Sequence, residues 1–315
     1  MEGQAMASFG WETTADEALA GLDLSGRRVL VTGVSAGIGT ETARALAARG
    51  AEVIGAARNL EKARQAMREL GEGISLVELD LASLASVRSC ADRILDERKP
   101  LDVIIANAGM LAGSLEYTVD GFESQLASNH LGHFVLINSL RGLLRPGGRI
   151  VNLSSLAHRF GDIDLGDMNF ERRPFTTTEA YGASKTATTL FTVELDRRCR
   201  DRGVRATAVH PGAVATDLSG SMSPELIEEM MSIMLAEGGS AENARIKSVP
   251  QGAATSVWAA FVAPAEDIGG RYCEDCTVVP VAATGSVGPQ PYAVDPERAS
   301  RLWTLSENMV GERFD

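Results

Sequence analysis

Cysteine is scarce: four in 315 residues, too few for a disulfide framework to hold a chain of this size. Long apolar runs are missing as well, and none approaches the ~20 residues that cross a bilayer as a helix. Basic residues are in deficit, with 30 Lys and Arg against 42 Asp and Glu and a formal charge of −12. Nucleic acid and anionic membrane surfaces attract a basic face, so neither is an expected partner. Met1 to Gly21 carries Glu2, Glu12, Asp16 and Glu17 and no basic residue, unlike the charged start of a secretory signal. The expectation is a cytoplasmic protein without a membrane span.

What is present is an ordinary globular balance, 44% hydrophobic and 23% charged, in a chain long enough for one large buried core. From about Arg27, short apolar runs alternate with helical stretches, the pattern of a parallel sheet covered on both faces. The runs are Arg28 to Thr32, Ala51 to Ala57, Ile74 to Leu79, Leu101 to Ala106, Arg149 to Leu153 and Val204 to Val209. Between them lie helices expected at Ile38 to Arg49, Leu60 to Leu70, Ser83 to Glu97, Phe122 to Leu144 and Ala180 to Arg202. Asp120 and Glu123 have the spacing of a capping box for the fourth. A helix from Gln251 to Val262 leads to a seventh strand near Gly270 to Cys273. The fold expected is a single doubly wound α/β (Rossmann) domain with a seven-stranded parallel sheet and helices on both faces.

Residues 1–24 read as an acidic N-terminal extension, in which Thr13 or Thr14 caps a short helix. Residues 25–285 read as the catalytic domain and 286–315 as a C-terminal extension. Two excursions interrupt the alternation. Residues 156–179 form a polar insert. Residues 217–249 are rich in methionine (Met222, Met230, Met231, Met234), with a helical period over Glu225 to Leu235. Long excursions in a compact domain tend to be lids or binding loops, so 217–249 is expected to be a substrate lid. Cys273 and Cys276 have half of a zinc or redox spacing but no second pair, and His130 and His133 lack a third ligand. The expected metal content is none.

Gly33, Gly37 and Gly39 follow the first strand and open the first helix. Glycine there permits a tight turn and close backbone approach to a pyrophosphate, which the helix N-terminus favours. Further along come Asn107-Ala108-Gly109, Asn129, Ser154-Ser155, Tyr181-Gly182-Ala183-Ser184-Lys185 and Pro211-Gly212-Ala213-Val214-Ala215-Thr216. Tyr and Lys four apart sit on one helix face, where a cation can lower the pKa of a phenol that ordinarily ionises near ~10.

Six motifs in this order resemble the short-chain dehydrogenase/reductases, which pass a hydride between NAD(P) and a carbonyl or alcohol. The segments Asp120-Gly121-Phe122-Glu123, Asn129 to Phe134 and Val151 to His158, with 26 positions from Ser155 to Tyr181, are similar to the retinol dehydrogenase and protochlorophyllide reductase branch. The resemblance runs from about Leu22 to Cys276. It implies Tyr181 as general acid or base, and Lys185 as the group that tunes it and holds the nicotinamide ribose. Ser155, the second of its pair, is implied as donor to the substrate oxygen, and Asn129 as organiser of a relay water. Implied cofactor contacts are Gly33, Ser35, Ala36, Gly37, Ile38 and Gly39; Arg58 and Asn59; Asp80 and Leu81; Asn107, Ala108 and Gly109; Tyr181 and Lys185; and Pro211, Gly212, Val214 and Thr216. Ala57-Arg58 stands where NAD enzymes of this fold place an acid, so NADP(H) is favoured over NAD(H). A small lipophilic alcohol or ketone is the expected substrate, since methionine adapts to varied apolar ligands. The expected assembly is a homodimer or homotetramer. C=C reduction, NAD-dependent alcohol oxidation and a non-catalytic dinucleotide sensor remain as alternatives.

Overall fold

A computed structural model of the chain describes residues 9–68, 73–214, 227–228, 232, 245–283 and 288–314. Apart from Ile227, Glu228 and Ser232, the expected lid helix Glu225 to Leu235 lies outside the described residues, as do Met222 and the cofactor candidate Thr216.

The apolar runs form β1 (Arg28–Thr32), β2 (Glu52–Ala57), β3 (Ile74–Glu78), β4 (Leu101–Ala106), β5 (Leu144–Leu153) and β6 (Arg205–His210). They pair in parallel in the order β3-β2-β1-β4-β5-β6. Every residue of β1 and β4 is buried, because helices cover both faces at the centre of the sheet. Period-two alternation inside the continuous apolar run sends Val29 and Val31 to one core, while Leu30 joins the other. On the Val29 side lie α1 (Ala15–Ala18), α2 (Gly37–Ala47), α3 (Leu60–Met67) and the helix Val249–Phe261. The Leu30 side is closed by α4 (Leu84–Asp96), α6 (Gly132–Leu140), α7 (Thr177–Cys199) and the C-terminal helix Pro296–Val310. Each fully buried Val, Leu or Ile contributes ~1.5–3 kcal/mol, so two such layers dominate the stability of the fold.

Several elements differ from the sequence expectation. The seventh parallel strand is β9 (Tyr272–Glu274) beside β6, and an eighth, β10 (Thr277–Val278), pairs with it antiparallel at the edge. Too short to show a period, β10 is defined by its turn: Asp275 and Cys276 both have positive φ, as a two-residue hairpin of the primed kind requires. The Cys-x-x-Cys spacing is therefore that of the hairpin. Cys273 lies on β9 within 3.5 Å of the Thr207 hydroxyl, and the Cys276 amide donates to Thr255 Oγ1. Burial pushes both thiols up to about 11, away from the range of reactive cysteines.

The single helix expected over Phe122 to Leu144 is broken into α5 (Ser124–Leu126), a π-helical turn Ala127–Leu131 and α6, with residues Leu144 onward already in β5. No capping box with Asp120 opens it. Glu123 is itself the cap, its carboxylate accepting from the Gln125 and Leu126 amides at 2.9 and 2.7 Å, while Asp120 accepts from Leu84 N. Thr14 caps α1 in a reciprocal box with Glu17. The excursion after β6 leaves through β7 (Ala213–Val214) and returns through β8 (Ile246–Lys247), paired in parallel beside its point of departure. The C-terminal helix, capped by Asp295, buries Trp303 against Phe134 and Phe191, with the Arg198 guanidinium 4.2 Å over its ring.

Candidate active site

The carboxyl ends of β1, β4, β5 and β6 meet on one edge of the sheet, and the predicted site residues cluster there. The turn after β1 places Gly33, Ser35, Ala36, Gly37, Ile38 and Gly39 at the N-terminus of α2. Gly33 and Gly37 adopt positive φ. A Cβ on Gly39 would lie 2.2 Å from the Gly33 carbonyl oxygen and 2.4 Å from Asn107 Nδ2. Only a bare backbone fits, so the first turn of α2, whose peptide N–H groups have no partner within the helix, packs directly on the strand ends. This cradle fits a dinucleotide pyrophosphate.

The next strand ends complete the line. Arg58 is exposed just past β2, and Asn59 caps α3 by accepting from Lys62 N at 2.9 Å. Asp80 follows β3 and accepts from the Ala82 amide, and Leu81 is buried. Asn107 donates to the Thr32 carbonyl at 2.8 Å, binding the end of β4 to that of β1. Ala108 N donates to Thr32 Oγ1, which hydrogen-bonds His133 Nε2 at 3.0 Å. Pro211 and Gly212 follow β6, where the Lys247 stem lies over Gly212, and Val214 packs beside Ile38 around Gly252.

The four proton-handling candidates converge on one spot. Tyr181 and Lys185 sit one turn apart on α7, with the ammonium 5.7 Å from the phenol ring centroid. The Tyr181 phenol lies beside the Ser155 hydroxyl. Burial, rather than the neighbouring cation, sets the phenol: it is pushed up to about 12, with the nearby Ser155 side chain working against the rise. Burial likewise lowers Lys185 to about 8, and its Nζ donates to the Leu153 carbonyl at 3.0 Å. Asn129 stands in the π-helical turn, accepting from Met110 N at 2.8 Å and donating to Met110 O and to Ser184 Oγ. A Cβ on Gly109 would lie 3.3 Å from both Asn129 Oδ1 and Lys185 Nζ, so these two groups face the same point.

The serine pair divides its labour. Ser154 is buried and spends its hydroxyl on Lys185 O and Thr189 Oγ1, whereas Ser155 is partly exposed and accepts from Ala157 N. Close approach of the serine turn to α7 depends on Gly182, where a Cβ would lie 2.5 Å from Gly161 N and 2.7 Å from Ala157 O. Backbone therefore packs directly on backbone, holding Ser155 against Tyr181.

Sequence reasoning missed the supporting residues. Thr32, Ser184 and Thr188 tie Asn129 and the strand ends together, and Thr188 Oγ1 donates to the Asn129 carbonyl. Small hydroxyls of this kind carry no pattern in a sequence, since their role depends on distant partners. His130 and His133 are packed residues, bonded to Ser306 and Thr32. Among the described residues no group of three His, Cys, Asp or Glu is arranged to hold a metal.

The sequence matches the short chain dehydrogenase family over residues 27–226. It is 41% identical over 294 residues to the short-chain dehydrogenase/reductase prx1 of Penicillium rubens, covering 89% of this chain and 84% of that protein. Human retinol dehydrogenase 13 is 38% identical over 302 residues, covering 91% and 86%. Among solved structures, an uncharacterised protein from Mycobacterium paratuberculosis superposes with a TM-score of 0.74 at 35% identity, covering 95% of this chain and 98% of its own. A short chain dehydrogenase from Burkholderia cenocepacia in complex with NADP gives 0.62 at 27% identity, covering 80% and 96%. The chain belongs to the short-chain dehydrogenase/reductase family, NAD(P)-dependent oxidoreductases acting on CH–OH and C=O groups.

Proposed function

We propose that the protein transfers a hydride between NADP(H) and a lipophilic secondary alcohol or ketone at a Tyr181, Lys185, Ser155 and Asn129 site. The observation that carries this reading is the convergence of the groups: the Tyr181 phenol stands beside Ser155 and Lys185, and Lys185 and Asn129 face one point at Gly109. The dinucleotide, when bound, supplies or accepts the hydride at the substrate carbon. Tyr181 gives its proton to the substrate oxygen in reduction and takes one in oxidation, while Ser155 stabilises charge developing on that oxygen. The phenol is protonated at neutral pH, the form an acid needs, while the rise to about 12 by burial makes it the weaker donor. The test is NADPH consumption against a panel of apolar ketones, with polar hydroxy acids as comparison. Turnover confined to polar substrates, or none, defeats the substrate reading.

The same proposal takes residues 25–285 as the catalytic domain, with 217–249 as the lid. Among the described residues no helix is long and apolar enough to cross a membrane. A cytoplasmic homodimer or homotetramer completes the reading, and light scattering on the purified protein tests the assembly.

The preference for NADP(H) is supported by Ala57 at the end of β2, where no carboxylate stands, and by the exposed Arg58 that follows. An arginine–phosphate contact contributes ~1.5–3 kcal/mol, about tenfold to a hundredfold in binding. Arg58→Ala should lower kcat/KM with NADPH by that factor and leave NADH nearly unchanged. Ala57→Asp should reverse the preference, by repelling the 2′-phosphate and accepting from free ribose hydroxyls. Wild type favouring NADH, with Arg58→Ala silent, removes the assignment.

Gly39→Ala should weaken dinucleotide binding by about tenfold to a hundredfold, because a methyl group there forces the β1 turn open against the Gly33 carbonyl. Fluorescence titration measures it, and unchanged affinity would place the pyrophosphate elsewhere.

A further inference from the structure

The peptide unit joining Ser155 to Leu156 is held on both edges by imidazoles. His158 Nδ1 donates to the Ser155 carbonyl at 2.7 Å. His210 Nδ1 accepts from the Leu156 amide at 3.2 Å. Both histidines are buried, and they come from different places in the fold: His210 ends β6, while His158 lies in the 3₁₀ turn Leu156–Phe160. The β5–β6 ladder runs as far as Leu153 opposite Val209, so the His210 side chain takes up the pairing where the backbone ladder stops.

We infer that His158 and His210 are positioning residues that fix the Ser155–Leu156 peptide plane, and with it the direction of the Ser155 hydroxyl toward Tyr181. A planar peptide gripped at its carbonyl and at its amide cannot rotate about the chain axis. That rotation is the ψ of Ser155, now 157°, and it would change where Oγ stands relative to Ala157 N and the phenol. The two imidazoles need opposite tautomers, His158 protonated on Nδ1 and His210 on Nε2.

Each has a second anchor. His158 Nε2 accepts from Gln290 N at 3.1 Å, and its carbonyl receives the Tyr292 and Thr186 hydroxyls, so residues 290–292 of the C-terminal segment reach the serine through it. The Tyr272 ring stacks edge-on at 5.3 Å, and Arg159 is the neighbouring cation. His210 Nε2 faces Glu274 Oε1 at 3.8 Å, with Lys247, Asp275 and Lys185 as the surrounding charges. Burial holds His158 at about 4 and His210 at about 3, so both keep the single-proton form that the grip requires at neutral pH.

The inference rests on Ser155 as donor to the substrate oxygen. It is tested with amide replacements that differ only in reach: Asn sets a polar atom at the Nδ1 position, Gln at the Nε2 position. His210→Gln and His158→Gln should lower kcat by about tenfold to a hundredfold, the scale of a misplaced catalytic group, while dinucleotide Kd stays within twofold. His210→Asn and His158→Asn, which restore the acceptor and the donor, should recover kcat to within about threefold of wild type. In a Ser155→Ala background the Gln replacements should cost nothing further, since they act through that serine. Equal losses for Asn and Gln, wild-type kcat in both Gln variants, or additive losses in the Ser155→Ala background would each overturn the inference. If the Gln variants do not accumulate as folded protein, the Asn variants decide, and a loss as large as that of Ser155→Ala overturns it. Ser155→Ala alone separates the two levels. Full turnover there defeats the serine assignment and this inference with it, whereas a dead Ser155→Ala beside wild-type-like histidine variants defeats the positioning role only.

Discussion

Tyr181→Phe should bind the dinucleotide with wild-type affinity and turn over some 10²- to 10⁴-fold more slowly, the range for loss of a general acid. The ring is buried and Phe preserves its volume, so the fold has no reason to change. What disappears is the hydroxyl beside Ser155, the proton carrier placed between that serine and the Lys185 side of the site. Stopped-flow reduction of a ketone by NADPH, beside fluorescence titration of the dinucleotide, measures both quantities. Wild-type turnover in a folded variant would transfer the acid role to another group.

Acid should destabilise the protein steeply between pH 6.5 and about 4. The chain has four histidines, and burial lowers every one: His130 to about 3, His133 to about 4, His158 to about 4 and His210 to about 3. Each folded value lies below the ordinary 6.5, so the unfolded chain binds more protons through that interval. The stability these groups confer is complete above pH 6.5 and drains as pH falls toward their folded values. Glu274 works the other way. Held up at about 7 by burial, it is protonated earlier in the folded state and offsets one histidine, and lower down Glu123 and Asp162 act in the same sense. At about 1.4 kcal/mol per proton per pH unit, the net loss from pH 7 to 5 is on the order of 5 kcal/mol. That equals the whole stability of many domains. Urea midpoints across this range should fall without a change in slope, and a flat profile would mean that the histidines are solvated.

Much of the fold and part of the site are legible in the sequence. β1 and β4 read as buried strands because a sheet covered on both faces needs apolar residues on both. The turn Gly33 to Gly39 could be placed because glycine is demanded by close backbone packing that few other residues tolerate. Tyr181 and Lys185 could be set on one face because helical spacing is local.

The unreadable parts depend on contacts between residues far apart in the chain. No proline interrupts Phe122 to Leu144, so nothing local marks the π-helical turn that carries Asn129; its carbonyl is claimed by Thr188 on a different helix. The Cys273 and Cys276 spacing is shared by metal knuckles and tight hairpins, and only pairing with β10 distinguishes them. Helix Pro296–Val310 lies in what reads only as a C-terminal extension, and its burial against α7 follows from Trp303 meeting Phe134 and Phe191. The choice of Ser155 over Ser154 needed a resemblance, and the geometry adds a reason, since the Ser154 hydroxyl is already taken by α7. His158 and His210 stand 52 positions apart and meet on one peptide bond. The sequence by itself determined the layered sheet, the glycine turn and the Tyr–Lys pair, because each follows from local periodicity or backbone sterics. The packed helices and the hydrogen bonds that aim the serine were decided by tertiary structure alone, because they join groups whose nearness no local rule encodes.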